Sequence, residues 1–377
     1  MAETLLPLDE ALDLLRRALP TVPHPEVRAD RDDPALDRSA MDGGAMRSAD
    51  GVGPRRLAGT LHAGDDPAGL GVDRDECVRI MTGAALPAGA DAVVPVERIR
   101  EEAGLIHLEA APKPGDHVRR RASQTRAGDL LLPAGTPLTA ARLGLQAQVG
   151  AAPRGLERIP VGVASTGDEL TTDPRPHQIR DSNGPMLAAL AHRLGADARR
   201  LPSLPDDPAA LEARLQDLGG IRVLLTSGGV SMGQKDHLPG VLRQLGARIL
   251  FHKLRLKPGK PMLAALLPHP EGDRVILGLP GNPLSAYLNA LLFLPAVLAR
   301  LEGTAEPDPW RAGELAEAVA NPGDRPLLQP CRREGWTLVP LASQGSGDLV
   351  RLAQAEACAW IPEGGAAPGP CRYLEVI

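Results

Sequence analysis

The sequence predicts a multidomain protein of α/β plus β class: an α/β domain with a parallel or mixed sheet, a β-rich N-terminal domain and a small C-terminal β domain. Three observations carry this. Short strands alternate with helical stretches between Ile159 and Leu301, the pattern of a sheet covered on both faces. Short apolar runs broken by Gly and Pro fill about Pro34 to Leu138, the texture of a β region. At 377 residues the chain also exceeds what one ordinary core organises.

The elements follow in order. Leu8, Ala11, Leu12, Leu14 and Leu15 precede Arg16-Arg17 with helical spacing, and the helix stops before Pro20. In the β region, Cys77 to Met81 and Ala92 to Val94 read as strands, and a boundary falls near Gly150 to Arg158. The α/β pattern opens with a strand at Pro160 to Ala164, then a helix whose Met186, Leu187, Leu190, Ala191 and Leu194 share one face. A strand at Ile221 to Thr226 precedes a polar loop and a helix containing Val241, Leu242 and Leu245, and a strand at Arg274 to Leu279 leads into a long helix from about Leu284 to Leu301. Ligands of such a sheet sit at the strand C-termini. After Gly303 and the proline-rich Pro307 to Pro309, short strands with turns suggest a small β barrel or sandwich.

Composition narrows the function. The 38 prolines and 41 glycines are spread along the chain, which implies turns and linkers and no disordered tail. Aromatics make up 2%, so aliphatic side chains fill the cores and base-stacking platforms are disfavoured. A net charge of −5 gives no global attraction to nucleic acid or anionic membrane. Cys77, Cys331, Cys358 and Cys371 show no paired CxxC spacing, which points away from a zinc site or a disulfide framework and toward a reducing compartment. No basic, apolar leader opens the chain and no run approaches the ~20 apolar residues of a bilayer span, so a soluble cytoplasmic protein is expected.

Three segments follow predicted strands: Ser165 to Leu170, Thr226 to Ser231, and Leu279 to Pro283. Their glycines let backbone approach a ligand, their hydroxyls donate, and the following helices offer free N–H groups to an anion. Singly each is a plain βα connection; together they suggest a phosphate cradle. None matches the P-loop or the dinucleotide fingerprint. Lys253, Lys257 and Lys260 lie on a segment stiffened by Pro258 and Pro261, suited to an oxyanion or to a solvated basic turn. The carboxylates Asp42, Asp168, Glu169, Asp206, Asp207 and Asp236 could hold Mg²⁺ on a pyrophosphate, or could equally cap helices and turns. Arg119, Arg120 and Arg121 alternate between faces, and a solvated hinge or interface cluster is the preferred reading.

In this order, these segments resemble the molybdopterin molybdenumtransferase family, which includes the C-terminal domain of gephyrin. The matching stretches are Ser39 to Gly43, Arg79 to Val94, Val118 to Arg121 with Ala127 to Gly135, Ser165 to Leu170, Asp181 to Asn183, Thr226 to Asp236, Lys253 to Pro261 and Gly278 to Ser285. The resemblance implies a homodimer of four-domain subunits: a linker and dimer domain at 1–40 with 136–157, a β-rich domain at 41–135, a molybdopterin-binding α/β domain at 158–304 and a β-barrel-like domain at 305–377. It implies insertion of molybdate into adenylyl-molybdopterin with release of AMP, assisted by Mg²⁺, with the pterin-adenylylating protein as a further partner.

Carried over by position, the resemblance makes Asp42, Thr82, Glu169, Asp206 and Asp236 catalytic, with Asp207 an equal match for Asp206, and assigns the metal to Asp236 and Glu169. It assigns substrate to Ser227, Gly228, Gly229, Ser231, Lys257, Lys260, Pro280, Gly281, Asn282, Pro283 and Ser346. The chain departs from the pattern at Gly44, where an aromatic is usual, at Gln124, where an acid is usual, and at the C-terminal arginine, for which Gln329 or Arg332 stands. Intact Asp236, Lys257 and Lys260 favour the enzyme; Gln124 favours the alternative, a catalytically weakened pterin carrier or scaffold of the same fold. An unrelated nucleotide-dependent transferase is a third reading.

Overall fold

The computed structural model describes residues 5–20, 24–151, 157–167, 169–230 and 236–377. The chain divides into two compact units, Pro25–Thr136 with Ala140–Pro153, and Met1–His24 with Pro137–Thr139 and Arg154–Ile377.

The first unit is β-rich. Its largest sheet runs in the order Ala92–Pro95, Gly43–Met46, Glu76–Ile80, Arg55–Leu61, Leu105–Leu108, Ile99–Glu102. Ala45, Leu61, Val78, Ile80 and Val93 form its main core. Gly43 is obligatory here, since a Cβ would lie 1.9 Å from the Val94 carbonyl oxygen. The arginine run is solvated: Arg120 pairs with Asp37 and Arg121 with Asp32, each at 2.7 Å, the arginines exposed and the aspartates half-buried. The helix Ala140–Gln148 has no counterpart in the sequence reading, because its one buried residue is Gln146 and it lacks an apolar stripe.

The second unit opens with α1 (Leu8–Ala18), which buries Leu8, Ala11, Leu12 and Leu15 and carries Asp9 and Glu10 in its first turn and Arg16 and Arg17 in its last, favourable to the helix dipole at both ends. The α/β part follows: β1 (Pro160–Ser165), α2 (Asn183–Arg193), β2 (Asp197–Arg200), α3 (Pro208–Gln216), β3 (Val223–Ser227), α4 (Leu238–Gln244), β4 (Arg248–His252), β5 (Leu263–Leu267), β6 (Arg274–Leu279) and α5 (Pro283–Glu302). The sheet order is β2-β1-β3-β6-β5-β4, with β2, β1, β3 and β6 parallel and β5 antiparallel to both its neighbours, β6 and β4, a mixed sheet.

Both faces are covered. Val223 and Leu225 pack with α1, α2 and α5, whereas Leu224 packs with Leu211 and Leu215 of α3 and Val241 and Leu242 of α4. Strands buried on both sides read as continuous apolar runs. Edge strands β2 and β4 are mostly half-buried or exposed; β2 has no such run and β4 only the short Ile249–Phe251.

The helix α5 corrects one expectation. It is 20 residues long with mean hydropathy 1.6 in its most apolar window, so one run does reach the length and composition of a bilayer span, but 89% of that window is buried inside the protein. Gly303 ends it in the left-handed conformation at φ 68°. Beyond it a closed barrel forms from β7 (Trp310–Leu315), β8 (Leu327–Glu334), β9 (Thr337–Pro340), β10 (Ala357–Ile361) and β11 (Gly369–Glu375), with α6 (Leu349–Gln354) between β9 and β10. Ala357, Ala359 and Ile361 point into the barrel while Cys358 faces the main core, the period-2 alternation of a strand.

Candidate functional site

Parallel pairing aligns Ser165 with Ser227 and Ser227 with Leu279, so the three loops foreseen as ligand walls leave the sheet side by side at its C-terminal edge. They wall a cavity of ≈ 540 Å³. Residues 179–183 close one side, Asp206 and Asp236 line it further, and Gly347 and Leu349 join it from the barrel end of the same unit.

The loops are locked together at the start of α2. The Asn183 Nδ2 donates to Ser227 Oγ at 2.6 Å and to the Gly281 carbonyl at 2.7 Å, while Ser227 Oγ donates to the Pro280 carbonyl at 3.2 Å. Asp181 Oδ1 accepts from Ser165 Oγ and from the Gly184 N–H, each at 2.8 Å. Backbone bonds from Thr166 to Ser227 (2.8 Å) and from Gly228 to Leu279 (3.0 Å) complete the lattice. A wall tied in this way is preorganised, so a ligand need not order it on binding.

Glycine is required where the second loop turns. Gly228 has φ 95° and Gly229 φ 69°, and a Cβ on Gly228 would lie 2.9 Å from the Thr166 carbonyl oxygen. At the third loop, Asn282 is the N-cap of α5 but makes no capping bond, its Nδ2 donating instead to Ser346 Oγ at 2.8 Å. Pro283 takes the first helical position, so the amide end of a long helix faces the cavity that Gly281, Asn282 and Pro283 line.

The charges are mostly acidic. Glu169, Asp181, Asp206 and Asp236 line the cavity with Arg180. Asp207 is elsewhere engaged: it caps α3 by accepting the Ala210 N–H at 2.8 Å, which leaves Asp206 as the acid facing the cavity. Among the described residues, no group of three or more His, Cys, Asp or Glu is placed to hold a metal ion.

Of the residues carried over to substrate, Ser227, Gly228, Gly229, Gly281, Asn282 and Pro283 line this cavity, Pro280 is buried behind it, and Ser346 meets Asn282. Ser231 lies outside the described residues. Lys257 and Lys260 are exposed and do not line the cavity. Their loop is held by backbone: Lys257 donates to the Pro326 carbonyl at 2.9 Å and accepts from Leu328 at 2.7 Å, and Asn289 Nδ2 donates to the Gly259 carbonyl at 3.0 Å. Asp181 and Asn183 lie in a matching stretch without an assigned role; their place at the start of the first helix after a strand-end loop was the available signal. Nothing in the sequence pattern marks Arg180.

Asp42 and Thr82 belong to the β-rich unit. Thr82 donates its hydroxyl and its N–H to Asp42 Oδ1 at 2.7 and 2.6 Å, which holds that carboxyl below its ordinary pKa. Asp42 also borders a separate ≈ 410 Å³ cavity walled by Gly44, Cys77, Ile99 and Ile106. A Cβ on Gly44 would lie 2.6 Å from Cys77 Sγ, so an aromatic there would require Cys77 to move. Gln124 is exposed in this unit, and Gln329 in the barrel spends its amide on the Leu341 and Pro330 carbonyls at 2.6 and 3.1 Å.

A molybdopterin molybdenumtransferase of Synechococcus elongatus is 37% identical over 358 residues, covering 90% of this chain and 87% of its own. The chain belongs to the molybdopterin molybdenumtransferase family. A second molybdenumtransferase, from a Nostoc species, is 34% identical over 363 residues, covering 90% of this chain and 81% of its own. Within the family's organisation, residues 1–150 match the MoeA N-terminal region (domain I and II), and residues 162–299 match a probable molybdopterin binding domain. The crystal structure of a molybdopterin biosynthesis MoeA protein from Pyrococcus horikosii superposes with a TM-score of 0.73 at 25% identity, covering 99% of this chain and 100% of that one. The second match spans β1 to α5, whose strand-end loops build the cavity.

Proposed function

We propose that this chain inserts molybdate into adenylyl-molybdopterin, forming molybdenum cofactor and releasing AMP. The observation that carries the reading is the ≈ 540 Å³ cavity at the C-terminal sheet edge, where three strand-end loops and the amide end of α5 face Asp206, Asp236 and Glu169. Backbone amides and Gly228–Gly229 receive phosphate oxygens, Asn282, fixed by Ser346, orients them, and Ser227 holds the wall in place through its bonds to Asn183 and Pro280. Lys257 and Lys260 add positive charge as the anionic substrate approaches. Catalysis then rests on positioning and electrostatics.

The donor set fits Mg²⁺. This ion is held by one or two carboxylates, with phosphate oxygens and waters filling its octahedron, so an all-protein cluster is not required and none is present among the described residues. Asp236 and Glu169 are the ligands of choice, with Asp206 beside them. Bound there, the ion would neutralise charge on the pyrophosphate.

Asp42 and Thr82 serve catalysis in the same reading, and the enzyme is a cytoplasmic homodimer supplied by the pterin-adenylylating protein. Four free cysteines support the reducing compartment. The experiment is reconstitution: purified protein with adenylyl-molybdopterin, molybdate and Mg²⁺ should yield cofactor that activates an apo-molybdoenzyme. Absence of activation with competent substrates would favour a pterin carrier of the same fold.

A further inference from the structure

The cavity asks an anionic substrate to enter among acids. Glu169, Asp181, Asp206 and Asp236 all line it, and Arg180 is the one Lys or Arg among its described lining residues. Arg200 partly offsets Asp181 through an ion pair at 3.1 Å. Backbone amides supply only partial charges. Among the described lining residues, full positive charge therefore comes from Arg180.

Arg180 is also held in place. Its neighbour Ile179 donates to the Glu169 carbonyl at 3.0 Å and accepts from the Thr171 N–H at 3.0 Å, which stitches the segment to the first loop. On the other side, Asp181 is bonded to Ser165 and Gly184. The Arg180 Nε donates to the Thr172 carbonyl at 3.2 Å, and among the described residues its Nη groups enter no ion pair with a carboxylate. A guanidinium pinned by Nε keeps its two Nη groups for an external acceptor, with geometry suited to a tetrahedral oxyanion.

We propose that Arg180 is an oxyanion-binding residue of this site, gripping either the molybdate or a phosphate of the adenylylated pterin. The inference rests on the function proposed above, because it takes the cavity to be the place where those anions meet. It adds a cation that no matched motif supplies, at a point where the sequence carries no phosphate-binding signature.

The test is calorimetric titration of the full chain with AMP and, separately, with sodium molybdate across a salt series, for wild type, Arg180→Met and Arg180→Lys. Arg180→Met should weaken at least one of the two by about tenfold or more, the scale of a charge-assisted hydrogen bond, and flatten the salt dependence of that ligand. Arg180→Lys should recover part of the loss, since it restores the charge without the fork. A loss confined to AMP assigns the residue to phosphate; a loss confined to molybdate assigns it to the metal oxyanion. Wild-type binding matched by Arg180→Met for both ligands at every salt concentration overturns the inference alone, whereas a wild-type chain that binds neither overturns the proposed function and this inference with it.

Discussion

The side-chain amide of Asn183 and the hydroxyl of Ser227 meet at 2.6 Å, and that bond holds the first residue of α2 against the end of β3. The second amide hydrogen reaches the Gly281 carbonyl at 2.7 Å, so one side chain ties two of the three strand-end loops. Asn183→Ala removes both bonds inside a nearly buried site. The expected cost is ~1–3 kcal/mol of stability, visible as a lower urea midpoint at unchanged slope. An unchanged midpoint would mean that the loops hold their places without it.

Gly228→Ala tests the tight second loop. At φ 95° with the Thr166 carbonyl 2.9 Å from a built Cβ, the new methyl meets backbone that cannot swing aside. A loss of ~1–3 kcal/mol is expected from the strained backbone alone. Substrate affinity should fall with it, since Gly228 lines the cavity. Wild-type thermal stability would contradict the required left-handed turn.

Asp42 gives a prediction in pH. Its carboxyl is held below the ordinary range by the Thr82 hydroxyl, the first cause, and by the Thr82 N–H. A depressed folded pKa contributes stability that is present above the unfolded value and is lost as pH falls through the folded one. Thr82→Val deletes the hydroxyl donor and keeps the N–H, so the Asp42 titration followed by carboxyl-carbon NMR should move upward toward the ordinary carboxylate value. No movement would show that the backbone bond alone sets it.

The cysteines should separate by reactivity. Burial pushes the thiols of Cys77 and Cys331 up to about 12 and raises that of Cys358 as well, whereas Cys371 is only half-buried and raised less far. Because the thiolate is the reactive form, a thiol reagent at pH 8 should label Cys371 first in the native protein. Rapid labelling of Cys77 would contradict its burial.

Much of this architecture was legible because apolar pattern reports burial. The runs at Pro160–Ser165, Val223–Ser227 and Arg274–Leu279 are strands buried on both faces, and the chemistry-bearing loops follow each of them. Asp197–Arg200 escaped because an edge strand does not need such a run, and Arg248–His252 because its run is only the three residues Ile249–Phe251. In the site, small-residue loops announced a ligand wall, but how the walls are tied depends on the side-chain bonds of Asp181 and Asn183. Sequence spacing also left Asp206 and Asp207 equivalent. Their separation arises from the N-cap of α3, which takes the carboxylate of Asp207.

The most direct measurement of the central claim is single-turnover AMP release from adenylyl-molybdopterin in the presence of molybdate and Mg²⁺, compared between wild type and Asp236→Asn. The substitution is nearly isosteric and removes one charge from the cavity wall, so binding of the pterin should persist while AMP release is lost, as for a group used mainly in the transition state. Wild-type AMP release by Asp236→Asn would contradict the assignment of this cavity as the place where the pyrophosphate is broken.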